Sequence, residues 1–264
     1  KKQLDSVRCA MNDFSSFDIN AVLPQPGEAD FSQLLAVLRG KEPNRPTLFE
    51  FFLNPRLLQK LSGMALHPEM SWLEQQKVRL AAFQRAGYDY LTVKVPGFVF
   101  EVGEQAHAAS ISQNDGSLIF DRQSMESYPW QNPDDARFDL VAEFAQFVPD
   151  NMQLVIHGPG GVLENAISLY GYEPLCLLIL DDPEMAEELF TNIGGRLERY
   201  YQLASQLDKV GACISNDDWV SRPRHCSPRA PCANSSSPGI SESWRKFMRL
   251  GNLPFCIPAG IFRR

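Results

Sequence analysis

Met152–Tyr172, MQLVIHGPGGVLENAISLYGY, is the stretch whose reading decides the rest of the chain. Leu154, Val155 and Ile156 read as a short buried strand, because parallel strands covered on both faces are continuous apolar runs. Gly158–Gly161 is then a glycine-proline loop, and Val162–Tyr170 a helix. In barrels and open α/β sheets the loop after a strand is where ligands meet polar groups, and His157 stands at that strand end. His157 reads either as a donor to a bound anion or as a packed structural histidine. Gly158, Gly160 and Gly161 could present backbone N–H groups to negative charge at a helix start, or simply let strand and helix pack closely. The loop is not a phosphate-binding P-loop, because the Gly-Lys-Ser/Thr ending is missing. Tyr170, on the helix after the loop, reads as packing or as an outlying substrate contact.

The same grammar recurs on both sides of that stretch. Phe31–Leu38 predicts a short helix, and Arg45-Pro46 leads into Thr47–Leu53, TLFEFFL, a first strand ending near Glu50. Asn54-Pro55 starts a helix, since proline is tolerated at the first helical position, and Gly63 stops it. Ser71 and Glu74 form a capping box for a helix running to Ala86, with Gly87 as its stop. Tyr88–Val95, YDYLTVKV, is a second strand carrying Lys94 near its end. Glu50 and Lys94 are thus candidates for pocket contacts, with exposed or ion-paired side chains as the plain alternative. Phe98–Trp130 reads as a β-rich excursion or lid, long for a connection inside a compact domain.

A helix over Asp135–Phe147 precedes the opening stretch, and after it come the apolar segment Leu175–Leu180 and a long helix, Pro183–Leu207, capped by Asp182. Val210–Ser215 is a further strand that delivers Asn216, Asp217 and Asp218. On an extended end, Asp217 and Asp218 point to opposite sides, so one could act as general base or substrate anchor while the other meets solvent or caps a helix. The aromatic runs Phe49–Phe52 and Tyr200-Tyr201 read as core. Alternating strands and helices predict a parallel sheet, most simply half or more of a (β/α)8 TIM-type barrel in the α/β class.

The chain has 264 residues, a net charge of −7 and a pI near 5.2, which argue against a general nucleic-acid binder. No apolar run approaches the roughly 20 residues of a membrane span, and a cytoplasmic protein with no membrane partner is expected. Six cysteines without a close-spaced pair make neither a disulfide framework nor a metal knuckle. The average charge hides a break. After Trp219 there are eight Lys/Arg against one Asp/Glu, a net +7, which leaves −14 on Lys1–Trp219. Residues 1–44 therefore read as an N-terminal extension, 45–219 as a partial barrel and 220–264 as an aberrant basic tail. One base restored before the Val220 codon gives an allowed translation with a capped amphipathic helix and an apolar strand ending in His-Ser-Cys. A frameshift is the expected origin of the tail.

RPTLFEFFL, AFQRAGYDYLTVK, VIHGPGGVLENAISLYGY, DDPEMAEELFTNIGGRLERYYQ and GACISNDDW, in that order and spacing, resemble the uroporphyrinogen decarboxylase (URO-D) superfamily. The resemblance covers about Arg45–Trp219. It implies a (β/α)8 barrel with its pocket at the carboxyl ends of the strands. It also implies either porphyrinogen decarboxylation or zinc-dependent methyl transfer involving a corrinoid protein. Decarboxylases of the family hold substrate carboxylates with an Arg-rich segment after the first strand and contact pyrrole nitrogens with an aspartate at the next strand end. Here those places hold Phe51–Asn54, with Arg56 the only nearby cation, and Val93-Lys94-Val95. The methyltransferase branch is therefore the nearer match.

The expected function is methyl transfer on a corrinoid- or tetrapyrrole-linked small-molecule substrate. Asp217, Asp218 and His157 are the catalytic candidates. Glu50, Lys94, Gly158, Gly160, Gly161, Asn216 and Tyr170 are the candidate substrate contacts. Zinc belongs to the intact parent, because the His-Ser-Cys of the restored frame is absent from the chain as written, and no metal is assigned to His225 or Cys256. The rivals are a URO-D-type carboxy-lyase and an inactive fragment whose incomplete barrel leaves an open sheet edge.

Overall fold

A computed structural model describes residues 26–103, 117–215 and 217, together with the backbone of Cys256–Pro258. Its helices start and stop where local chemistry directs them. In α1 (Phe31–Leu38) the Asp30 carboxylate accepts the Ser32 N–H. Asn54 caps α2 (Pro55–Ser62), which has proline in its first turn and ends at Gly63, φ 69°. The Ser71–Glu74 capping box opens α3 (Trp72–Ala86), and Gly87 closes it at φ 83°, a conformation that costs glycine nothing.

Three parallel strands follow in order: β1 (Tyr90–Lys94), β2 (Gln153–His157) and β3 (Val210–Ile214). Between β1 and β2 lie α4 (Arg122–Ser127), a single 3-10 turn at Pro133–Asp135 and α5 (Phe138–Ala145). Between β2 and β3 lie α6 (Val162–Tyr170), α7 (Tyr172–Asp181) and α8 (Pro183–Ala204), the last capped by Asp182. The apolar segment Leu175–Leu180 is thus part of a helix, with Leu175 and Leu178 buried and Leu177 and Leu180 exposed. A short strand β4 (Cys256–Pro258) pairs with β3 antiparallel, whereas a continuing barrel would add a parallel one. The fold is α/β with a parallel three-stranded sheet.

Register sorts the side chains. Thr92 and Lys94 lie opposite Val155 and His157, which lie opposite Ala212 and Ile214. Leu91, Val93, Leu154, Ile156 and Cys213 share the other face, as a period of two requires. Each of these five is at most 1% exposed. Burying such side chains contributes about 1.5–3 kcal/mol apiece. Between Leu154 and Val155 the register slips, so that Gly211 is the extra residue of a bulge. A Cβ on Gly211 would sit 2.4 Å from the Phe31 ring, and that contact seats α1 at the amino end of the sheet. The buried Asp89 carboxylate secures the same end by accepting the Asp30 N–H at 2.7 Å and pairing with Arg45.

Two expected elements differ. Thr47–Leu53 is extended but not a strand. Its backbone bonds are taken by side chains of β1: the Tyr90 hydroxyl accepts the Glu50 N–H at 2.6 Å and donates to the Glu50 carbonyl at 2.8 Å. Thr92 Oγ1 likewise donates to the Phe51 carbonyl at 2.8 Å. The segment therefore lies over the Tyr90–Thr92 face instead of extending the sheet. The expected β-rich excursion contains α4 and no strand among its described residues, and residues 104–116 lie outside them.

Candidate functional site at the strand ends

His157 closes β2 and is 8% exposed. The rings of Phe51 and Phe52 stand 5.0 Å and 5.4 Å from the imidazole, so the misread first strand forms the aromatic wall of the site. Nδ1 lies 3.2 Å from the Gly158 carbonyl. With the Nδ1 proton donated there, Nε2 is left as an acceptor. Burial lowers the histidine pKa to about 4, and the nearby positive charges of Lys94 and Arg79 add to that depression. His157 is consequently neutral near pH 7.

Lys94 is the direct register neighbour of His157 on β1. Desolvation lowers its pKa, and it belongs to none of the ion pairs among the described residues. An ammonium and a neutral imidazole thus stand side by side at two strand ends. Glu50 is exposed in the covering segment, and its carboxylate accepts the neighbouring Phe51 N–H at 3.1 Å.

The start of α6 is already occupied by the chain's own carboxylates. Asp217 accepts the N–H of Leu163 at 2.8 Å and of Glu164 at 3.2 Å. Glu164 in turn accepts the Gly161 N–H at 3.3 Å. Asp217 is therefore the helix-capping member of the Asp217–Asp218 pair. Asn216 and Asp218 lie outside the described residues. Gly160 has φ 101°, a left-handed turn suited to glycine, and Gly158 approaches Tyr201 closely. Tyr170 is buried and donates to the Phe120 carbonyl at 3.3 Å, a packing role.

Two tyrosines that read as plain core tie the site together. The Tyr200 hydroxyl accepts the Val95 N–H and donates to the His157 carbonyl, both at 2.9 Å. The Tyr201 hydroxyl accepts the Gly158 N–H at 3.0 Å and donates to the Ile214 carbonyl at 2.7 Å. Each bridges adjacent strands just where the ladder ends, and both sit at burial that raises the phenol pKa. Paired tyrosines near the end of a strand-preceding helix were the only available sign.

Among the described residues no three His, Cys, Asp or Glu side chains converge as metal ligands. Cys176 is exposed on α7 and Cys213 is buried in β3, so the described residues do not fit a zinc site. An open concavity of about 380 Å³ lies at the amino end of the strands, lined by Asp30, Leu35, Asn151 and Gln153 among others. It contains no histidine or cation, and the chemistry gathers at the other end. No described helix is long and apolar enough to cross a membrane.

The fold is similar to that of a methyltransferase from Methanosarcina mazei, with a TM-score of 0.50 and 16% sequence identity. The match covers 69% of this chain and 58% of that one, so the chain spans less than two thirds of that protein's length. No protein-family model matches the sequence, and no curated protein matches it.

Proposed function

We propose that the chain carries the substrate-orienting end of a methyl-transfer enzyme acting on a corrinoid- or tetrapyrrole-linked substrate, in the manner of the methyltransferase branch that the sequence resembles. The observation that carries this reading is Lys94 beside His157 at the carboxyl ends of a parallel sheet, on a fold similar to a methyltransferase.

Methyl transfer to a thiol requires the deprotonated sulfur, whose free electron pair forms the sulfur–carbon bond as the bond between the methyl group and its donor breaks and leaves its electron pair on the donor. In this reading His157 Nε2 accepts the thiol proton, and Lys94 stabilises the thiolate that results. The negative charge then offsets the field that depresses the imidazole, so proton acceptance and anion stabilisation support each other. Phe51 and Phe52 limit water at the same point. No step of this reading runs through a metal, since the described residues offer no ligand set for one. If zinc acts in the intact parent, its ligands come from beyond those residues.

The test is methyl loss from methylcobalamin to a small thiol, followed by absorbance and by mass of the methylated thiol. It is run on this chain and on a version whose reading frame is restored from Val220. Transfer is expected in the restored version, and Lys94→Met or His157→Gln is expected to lower it by about 10²-fold, the usual scale of a lost acid-base group. A folded restored protein that releases carbon dioxide from a porphyrinogen and leaves methylcobalamin intact overturns the proposal in favour of a carboxy-lyase.

A further inference from the structure

Helix α3 buries two polar atoms that have no hydrogen-bond partner, the Gln76 Oε1 acceptor and the Arg79 Nε donor. Gln76 is 5% exposed. Residues three apart on a helix lie on one face, so the two side chains leave α3 on the same side. Leaving a buried polar atom unpaired costs about 1–3 kcal/mol, and more when the group is charged. Arg79 also acts on His157 through its charge, alongside Lys94. Desolvation is the only influence that shifts either cation, and neither belongs to an ion pair among the described residues. Gln76 and Arg79 share a helix face with Phe83, whose ring lies 6.1 Å from that of Tyr90 on the Lys94 face of β1, so two cations in no ion pair among the described residues, an orphaned donor and an orphaned acceptor are carried on two elements that pack together beside His157.

We propose that Gln76, Arg79, Lys94 and His157 form a subsite for an oxyanion that carries its own hydrogen-bond donor, protonated phosphate being the simplest example. Arg79 and Lys94 meet the charge. Gln76 Oε1 receives the ligand O–H, which an oxyanion without a proton cannot supply. His157 gains a proton as the anion arrives and becomes a second donor from Nε2. Phe51 and Phe52 then face whatever apolar group the oxyanion is attached to. The inference rests on the reading of Lys94 and His157 as the substrate end of the sheet, and it is independent of which reaction follows.

Titration calorimetry of the full chain with inorganic phosphate and with sulfate, at about pH 6 and equal ionic strength, tests it. Phosphate there is mainly a monoanion with O–H groups, while sulfate is a dianion with none. Phosphate is expected to bind about fivefold more tightly in spite of its lower charge, one hydrogen bond's worth. Gln76→Leu is expected to abolish that preference, and Arg79→Met to weaken phosphate at least about tenfold. Arg79→Lys, which keeps the charge but lacks Nε, serves if Arg79→Met fails to fold. The His157 imidazole resonances should titrate at higher pH with phosphate present. Absent phosphate binding, sulfate binding as well as phosphate, or unchanged affinity in the Arg79 variants would overturn the proposal. Phosphate preference without methyl transfer sinks only the proposed reaction; methyl transfer without phosphate preference sinks only this subsite.

Discussion

Tyr201→Phe removes one oxygen and leaves the ring's packing in place, which makes it a clean probe of how the strand ends are held. That oxygen accepts the Gly158 N–H at 3.0 Å and donates to the Ile214 carbonyl at 2.7 Å. Both of these partners are backbone groups in a buried setting, the hydroxyl also meets the Ser215 side chain, and the phenylalanine offers none of them a replacement. At about 1–3 kcal/mol per orphaned group, less the desolvation of the hydroxyl itself, the expected loss is about 2–4 kcal/mol. That is a large part of the roughly 5–15 kcal/mol that holds a typical domain together. The structure supplies an internal control, because a Cβ on Gly158 would lie 2.6 Å from the same oxygen and 3.2 Å from the ring carbon bearing it. Gly158→Ala should therefore destabilise the parent strongly and the Tyr201→Phe background less, a coupling of at least about 1 kcal/mol. Urea unfolding followed by circular dichroism, with the slope unchanged, gives all four stabilities. A Tyr201→Phe loss below about 0.5 kcal/mol, or an equal cost of Gly158→Ala in both backgrounds, would refute the argument.

His157 has a folded pKa of about 4 against an ordinary 6.5. The unfolded chain thus binds the proton first as pH falls, and stability should be full above about pH 6.5 and drop by about 3 kcal/mol toward pH 4. Comparing unfolding midpoints of the parent and His157→Gln across that window checks it, the difference in slope disappearing above it. Asp217→Ala removes both N–H acceptor bonds at the start of α6 and is expected to cost about 1–2 kcal/mol, read from the urea midpoint. Gly211→Ala drives a methyl into the Phe31 ring, and the thermal midpoint should fall by the equivalent of about 1–3 kcal/mol. Phe31→Leu, which withdraws the ring, should recover part of that loss.

Most of the framework was legible because its signals are local. Ser71, Glu74 and Gly87 state the ends of α3 in the residues that make its caps, and Asn54, Pro55 and Gly63 do so for α2. The run from Leu154 to Tyr170 reads correctly as strand, loop and helix. Thr47–Leu53 misled because β-propensity records a fit to a half-buried surface and not a ladder bond. The hydroxyls of Tyr90 and Thr92 take the backbone groups that a neighbouring strand would have used. The apolar content of Leu175–Leu180 fits a buried strand or a helix equally until tertiary contacts choose. Tyr200, Tyr201, Gln76 and Arg79 were invisible for a stricter reason, since the tyrosines' roles depend on partners 13 to 105 residues away and those of Gln76 Oε1 and Arg79 Nε on having none among the described residues.

The strand ends also explain why site and stability are hard to separate here. Parallel ladders run out at Lys94, His157 and Ile214, and buried N–H and C=O groups beyond that point must find other partners. Tyr200 and Tyr201 provide them, while Asp217 meets the first N–H groups of α6. The Val95 and Gly158 N–H groups, the His157 and Ile214 carbonyls and two N–H groups of the helix start are thereby engaged. Among the described residues Lys94 is in no ion pair, Arg79 Nε and Gln76 Oε1 have no hydrogen-bond partner, and the neutral imidazole packs against two phenylalanines that also touch each other. One carboxylate on a neighbouring residue would pair either cation. Two cations in no ion pair among the described residues, both bearing on the charge of one histidine, are the pattern expected where charge is held for a ligand.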